Sequence, residues 1–322
     1  MSSSQPTQSV LPRADILYQT PHLTAFEHTI PDHPVDGALN ILIFIPGLTD
    51  TPLHPTYPQL HLLPFLSDPN RFAPSPPTNR YTLVQPLLSS SGSGWGSSSL
   101  TQDVVEISLL IDYLRTLPRF ASPASKIVLM GHSTGCQDVM HYLTSTGHNT
   151  RPQISAAILQ APVSDREAMT KLMRPDILKA GIRLAQEWTT AGMQKDVLPR
   201  ATLSGFFDSP VSAERFLSLA LPGGKDDYFS LDIADKQLNA TFGLVARKHM
   251  PLLILESGAD EYVPDPAQKK VLLQKWQEVI HANRGKCVTS VIEGASHNMM
   301  GDPQRVMEHL VKTVGSFLCG LQ

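Results

Sequence analysis

The stretch Lys126-Ile-Val-Leu-Met-Gly-His-Ser-Thr-Gly135 constrains this chain more than any other part of it. A short apolar run, Ile127 to Met130, leads directly into Gly131-His132-Ser133-Thr134-Gly135, and helix-compatible residues follow. An apolar strand that turns at once into a helix through G-x-S-x-G lifts a serine oxygen to the top of a parallel sheet. The turn is too tight for side chains two positions before and after the serine, and glycine supplies that freedom. Five residues arise easily by chance, so the argument rests on what surrounds them.

Strand and helix patterns alternate around the motif. Ala38 to Ile45 ends in Ile-Leu-Ile-Phe-Ile, a buried-strand run stopped by Pro46-Gly47. Residues 52–80 carry eight prolines, which excludes a long helix there but leaves room for two turns over Gln59–Leu66. Tyr81–Leu88 reads as a strand and Ser89–Ser99 as a Ser/Gly loop holding Trp95. Leu100–Leu117 has apolar residues at helical spacing. Strand 126–130, a helix to about Leu143 and a strand over Ile154–Leu159 come next. From 163 to 247 the patterning is helical with Pro/Gly interruptions and no convincing strand. Alternation resumes with Pro251–Glu256 (strand), Pro266–His281 (helix), Cys287–Ile292 (strand) and Pro303–Leu318 (helix). This rhythm predicts an α/β fold: a mostly parallel sheet, helices on both faces, right-handed crossovers. One domain over 15–322 is expected, with a mainly helical lid inserted at about 163–247. Residues 1–14, rich in Ser, Gln and Pro, are expected to be a disordered tail.

Composition removes several classes. A formal net charge of −3 and a pI near 6.4 give no electrostatic reason to bind nucleic acid or an anionic membrane. Three unpatterned cysteines do not make a disulfide framework. The N-terminus is polar, without a signal-peptide core, and the apolar runs are too short to span a bilayer. A cytoplasmic protein without membrane insertion is the expectation. No His/Cys/Asp spacing resembles a metal site, and Ser91-Gly-Ser-Gly-Trp95-Gly lacks the lysine of a phosphate loop, so neither metal nor cofactor is expected.

A serine hydroxyl needs a base to take its proton, and the base needs a third group to fix its tautomer. On this kind of sheet the chain order is serine, acid, histidine. Asp260 and His297 each follow the end of a late strand, and loops past the carboxyl ends of parallel strands open on one edge. Ser133 is therefore assigned as nucleophile, His297 as general base and then acid, and Asp260 as the orienting carboxylate. Glu256, Glu261 and Asp265 are rival acids. The oxyanion needs backbone donors: Thr134 supplies one and Leu48, with Thr49 as alternative, the other. Thr49, Asp50, Trp95 and Tyr262 are candidate pocket residues, with core packing an equal alternative for Trp95 and Tyr262. Asp208, Asp226, Asp227, Asp50 and Glu261 are either solvated acids or contacts for a substrate bearing amines. His132 is expected beneath the site, and Cys136 as a small buried residue.

Several segments carry a narrower likeness: Phe44-Ile-Pro-Gly-Leu-Thr-Asp50, Gln85-Pro-Leu-Leu-Ser-Ser-Ser-Gly-Ser-Gly-Trp-Gly-Ser-Ser-Ser-Leu100 and Gly131-His-Ser-Thr-Gly-Cys-Gln-Asp138. Gln160-Ala-Pro-Val-Ser-Asp-Arg-Glu-Ala168, Asp226-Asp-Tyr-Phe-Ser-Leu-Asp232 and Ser257-Gly-Ala-Asp-Glu-Tyr-Val-Pro264 complete the set. On these the chain resembles a fungal family of α/β-hydrolase proteins that includes intracellular siderophore esterases of the fusarinine C type. The resemblance implies a triad at Ser133, His297 and Asp260. It also implies hydrolysis of esters between N-acylated hydroxyornithine units, with iron as cargo of the substrate. A general carboxylesterase or thioesterase, a peptidase, and a non-catalytic protein on the same scaffold are the competing readings.

Overall fold

The computed structural model describes residues 12–20, 23–30, 40–68, 80–203 and 209–321. The expected tail over 1–11, Ala38 and Leu39 of the early strand, prolines 69–77 and Asp208 lie outside those residues.

Eight strands form one sheet in the order β1-β2-β4-β3-β5-β6-β7-β8. They are β1 (Arg13–Gln19), β2 (Thr24–Thr29), β3 (Asn40–Ile45), β4 (Tyr81–Leu87), β5 (Ile127–His132), β6 (Ala156–Gln160), β7 (Leu252–Ser257) and β8 (Cys287–Ile292). From β4 to β8 every pairing is parallel, whereas β1 and β2 run antiparallel at one edge. The two edge strands have no counterpart in the sequence reading. Arg13 and Ala14, expected in the tail, already belong to β1. Pro86 is tolerated in β4 because β3 pairs only with 81–84 there, so its missing N–H breaks no ladder bond on that side.

The central strands are apolar along their whole length because both faces are covered. Along β3, Ile41, Ile43 and Ile45 join one core and Leu42 and Phe44 the other. Residues of β5, β6 and β7 alternate in the same way. Helices α2 (Leu100–Thr116), α3 (Gly135–Thr144) and α9 (Pro266–Ala282) contribute to the first core. The second receives α1 (Leu63–Ser67) and α10 (Gln304–Cys319). A short π-helical turn, Pro58–Leu62, runs into α1, and each piece tolerates its proline because it sits at the start.

Between β6 and β7 the chain forms α4 (Asp165–Leu172), α5 (Pro175–Thr190), α6 (Ala213–Ala220), α7 (Asp235–Ala240) and α8 (Phe242–Arg247). Serine caps set two of these starts: Ser164 accepts the Glu167 N–H and Ser212 the Arg215 N–H. Helices α4 to α6 close a third, separate core with Met169, Phe216 and Leu219. Trp95 belongs to that core at 1% exposure, so it packs under the insert and does not line an open pocket. Of its two readings, pocket wall and packed core, Trp95 takes the second. The Ser/Gly loop brings it there because the Arg215 Nε–H of α6 donates to the Trp95 carbonyl (3.0 Å).

Candidate active site

Strands β3, β5, β7 and β8 end on the same edge of the sheet, and the loops after them meet there. Strand β5 turns into α3 at Ser133, whose φ of 52° lies in the left-handed region. A non-glycine residue there is strained, and strain of this kind is held at functional turns. The Ser133 N–H donates to the Gln160 carbonyl (3.1 Å), tying the turn to β6. The two glycines are required by contact: a Cβ on Gly131 would sit 2.2 Å from the Gly135 carbonyl oxygen, and one on Gly135 would sit 2.2 Å from that of Ile45.

The structure brings Ser133, His297 and Asp260 together across 164 and 37 residues of chain. His297 Nε2 lies 2.7 Å from Ser133 Oγ, and Nδ1 lies 2.7 Å from Asp260 Oδ2. A carboxylate only accepts, so Nδ1 carries the hydrogen and Nε2 presents its lone pair to the serine hydroxyl. The other Asp260 oxygen accepts the Tyr262 N–H (2.9 Å). The rival acids stand elsewhere. Glu261 accepts the His297 N–H (2.9 Å), so it anchors the histidine's backbone instead of its ring. Asp265 caps α9 through the Ala267 and Gln268 N–H groups. Glu256 is buried beside Lys269, 3.6 Å away, and burial pushes its carboxyl up to about 7.

A polar layer lies beneath the ring. His132 Nδ1 is 2.5 Å from Gln160 Oε1, which also accepts the Tyr57 hydroxyl (3.0 Å), and Gln160 Nε2 donates to Ser257 (3.2 Å). Burial holds His132 well below its ordinary pKa, so it stays neutral. Its ring centroid is 5.0 Å from that of His297. The position beneath the site is the expected one. Cys136 is fully buried, and burial pushes its thiol well up, which leaves little thiolate.

Tyr262 stands at the mouth, 36% exposed, with its ring edge-on to His297 at 4.6 Å between centroids. The N–H groups of Leu48, Thr49 and Thr134 donate to no protein acceptor among the described residues, as oxyanion donors should. The acids read as either solvated or substrate-facing are otherwise engaged. Asp226 pairs with the buried Arg215 of α6 and accepts from Ser218. Asp227 accepts the Gly223 N–H (3.0 Å). Asp50 accepts the Gly47 N–H (3.0 Å).

One residue at the site had no signal in the sequence. Asp165, first in α4, accepts from Gln137 Nε2 (2.6 Å) and lies 3.5 Å from Thr134 Oγ1. Burial, with Asp226 nearby, pushes its carboxyl up to about 7 against the pull of Arg215. A carboxyl raised from 3.8 binds more protons folded than unfolded, so its contribution to stability is complete below about pH 4. That contribution is lost as pH rises to about 7. Asp165→Asn removes the loss. Its melting temperature relative to the parent should therefore rise between pH 4 and pH 7 and level off above, as a thermal-melt series checks. A pH-independent difference would contradict the assignment.

A cavity of about 1290 Å³ lies at the opposite edge of the sheet, lined by strand-start residues such as Asn40, Lys126, Ser155 and Leu252. It is remote from Ser133. Among the described residues no group of His, Cys, Asp and Glu is arranged to hold a metal ion, and no helix is long and apolar enough to cross a membrane.

The sheet order, the elbow after β5 and the acid and histidine after β7 and β8 are those of the α/β-hydrolase fold. Solved structures agree. A siderophore hydrolase from Aspergillus fumigatus superposes with a TM-score of 0.77 at 29% identity, over 98% of this chain and 99% of that one. A carboxyl esterase from Bacillus coagulans matches in fold with a TM-score of 0.62 at 12% identity, over 97% and 99%. In sequence, a fusarinine C esterase of Aspergillus fumigatus is 32% identical over 94% of this chain and 95% of its own. An esterase of Emericella nidulans is 32% identical over 76% and 79%. The chain is a carboxylic ester hydrolase. It belongs to the family described as "Protein of unknown function (DUF1749)", whose model matches residues 7–319.

Proposed function

We propose that this chain is a serine esterase that opens the ester bonds of a hydroxamate siderophore of the fusarinine C type. The observation that carries the reading is the hydrogen-bonded array Ser133–His297–Asp260 in a chain whose relatives include a fusarinine C esterase. Ser133 Oγ attacks the ester carbonyl as His297 Nε2 takes its proton, and Asp260 steadies the imidazolium. Charge on the carbonyl oxygen is met by the Leu48 and Thr134 N–H groups. Collapse expels the alcohol of the neighbouring N-acylated unit, which takes the proton from His297 and leaves an acyl group on Ser133. Water, deprotonated by His297, then frees the acid. Each cleaved ester loosens the chelate, and iron leaves as substrate cargo.

The insert over 163–247 acts as the lid in this account. Ser133 is 9% exposed and His297 6%, so the reacting atoms sit below the surface and a bulky ferric chelate has to present one ester to them. The same low exposure favours a second reading, a carboxylesterase or thioesterase for small acyl groups. Three free cysteines without a disulfide support placing the reaction in the cytoplasm. The test is incubation with ferric fusarinine C, its N-acetylated analogue and p-nitrophenyl acetate, with products identified by mass spectrometry. The siderophore reading expects linear hydroxamate fragments. Turnover of p-nitrophenyl acetate alone overturns it in favour of the small-ester reading.

A further inference from the structure

The loop after β3 carries a second histidine–carboxylate pair that the triad chemistry does not use. Asp50 is clamped at several points. Its Oδ2 accepts the Gly47 N–H (3.0 Å), its own N–H donates to the Gly47 carbonyl (3.1 Å), and its carbonyl accepts the Gly92 N–H (2.8 Å). Its remaining carboxylate oxygen lies 2.5 Å from His54 Nδ1. The Asp50 side chain is 12% exposed and that of His54 44%, so the pair spans the gap between the site and solvent. Both carboxylate oxygens are occupied, which leaves little of Asp50 to meet a ligand.

What the clamp encloses is the oxyanion loop. Thr49, between the two anchored residues, has a φ of 69°, a left-handed conformation that a threonine does not hold without support. The loop abuts the nucleophile closely: a Cβ built on Gly47 would lie 2.9 Å from Ser133 Cβ and 3.1 Å from Asp50 Oδ2. A small shift of this turn would therefore move the Leu48 and Thr49 amides relative to Ser133. Burial pushes the Asp50 carboxyl up, while His54, Gly47 and the more distant His297 pull against it. Breaking either hydrogen bond leaves a mostly buried carboxylate short of partners, which the loop must relieve by moving.

We propose that Asp50 and His54 are positioning residues of the esterase, holding the oxyanion loop in its strained turn so that its amides face the reacting carbonyl. The inference rests on Ser133 as nucleophile but not on the siderophore as substrate. It assigns Asp50 a task other than contact with a substrate amine.

The experiment compares Asp50→Ala, Asp50→Asn and His54→Ala with the parent on p-nitrophenyl acetate and on ferric fusarinine C. Active sites are counted by phosphonate titration. Loss of a preorganised oxyanion donor costs about 10²–10³ in kcat. Asp50→Ala should lose on that order per active site on every ester the parent turns over, with KM little changed. Asp50→Asn should recover most of it, since its amide oxygen still accepts the Gly47 N–H. His54→Ala should fall between them, and it carries the test if Asp50→Ala does not fold. A raised KM at constant kcat, or a loss confined to the siderophore, makes Asp50 a substrate contact and overturns the proposal. Unchanged kcat per titrated site in His54→Ala, or in a folded Asp50→Ala, also overturns it. A parent inert to both esters and to the phosphonate sinks the nucleophile reading beneath it. A parent that turns over only p-nitrophenyl acetate sinks the siderophore reading and leaves this test standing.

Discussion

Replacing Ser133 with alanine should lower kcat by a factor on the order of 10⁴–10⁶, leaving only what the oxyanion donors and binding contribute. The fold should survive. The substitution removes the 2.7 Å contact with His297 Nε2 and one hydroxyl, and little else. Its backbone must still adopt the φ of 52° at the elbow, a strain alanine and serine share closely. A lost hydrogen bond of this type costs about 1 kcal/mol, a shift of about 1–2 °C in melting temperature for a chain of this size. Activity and stability thus separate, and paired kinetics and thermal melts measure both. Turnover near the parent's in a homogeneous Ser133→Ala preparation contradicts the mechanism.

The second large effect runs the other way, onto the fold. Gly135→Ala places a Cβ 2.2 Å from the Ile45 carbonyl oxygen and 2.8 Å from that of Pro46, both backbone atoms at the end of β3. Nothing flexible is available to yield, so the elbow and β3 must separate. They are adjacent in the sheet through β5, and the residues beside the contact are fully buried. Damage to a close backbone approach in a packed core belongs with the most severe substitutions, on the order of 4–5 kcal/mol. Most of the protein should be recovered insoluble, and any soluble fraction should melt roughly 6–8 °C below the parent. Gly192→Ala is the control. Its φ of 80° makes alanine uncomfortable, but nothing lies within 4 Å of the added carbon, so its cost is about 1 kcal/mol. If the two variants melt together, the elbow is not as tight as the structure makes it.

The sequence made the central sheet readable because its strands are covered on both faces and are apolar from end to end. Cys287–Ile292 is a strand with the expected bounds, and β5 and β7 are displaced by a residue or two. Strands β1 and β2 gave no such signal. Arg13–Gln19 mixes exposed and half-buried residues without strict alternation at a sheet edge, and Thr24–Thr29 mixes Phe26 with Glu27 and His28. Glu27 and His28 are buried there, which only tertiary pairing decides: Glu27 accepts from Thr82 (2.8 Å). Ser133, Asp260 and His297 were legible because each follows a readable strand. The surroundings were not. Trp95 lies in a loop, and whether it faces substrate or core depends on an insert whose folding the local sequence does not specify. Asp165, Gln137 and His54 owe their roles to contacts across 28 residues of chain or across a turn. Nothing in their neighbours' residue types marks them. Asp226 looked like a solvated acid, and only the approach of Arg215 from α6 buries it.

The central claim is that Ser133 is the nucleophile of an ester hydrolase. Peptide mass mapping after reaction with a fluorophosphonate ester measures it most directly. The account expects a single phosphonate on the peptide bearing Ser133, hydrolysis lost in proportion to labelling, and no adduct on the Ser133→Ala protein. Full labelling of another residue, or ester turnover undiminished when Ser133 is fully modified, would contradict it.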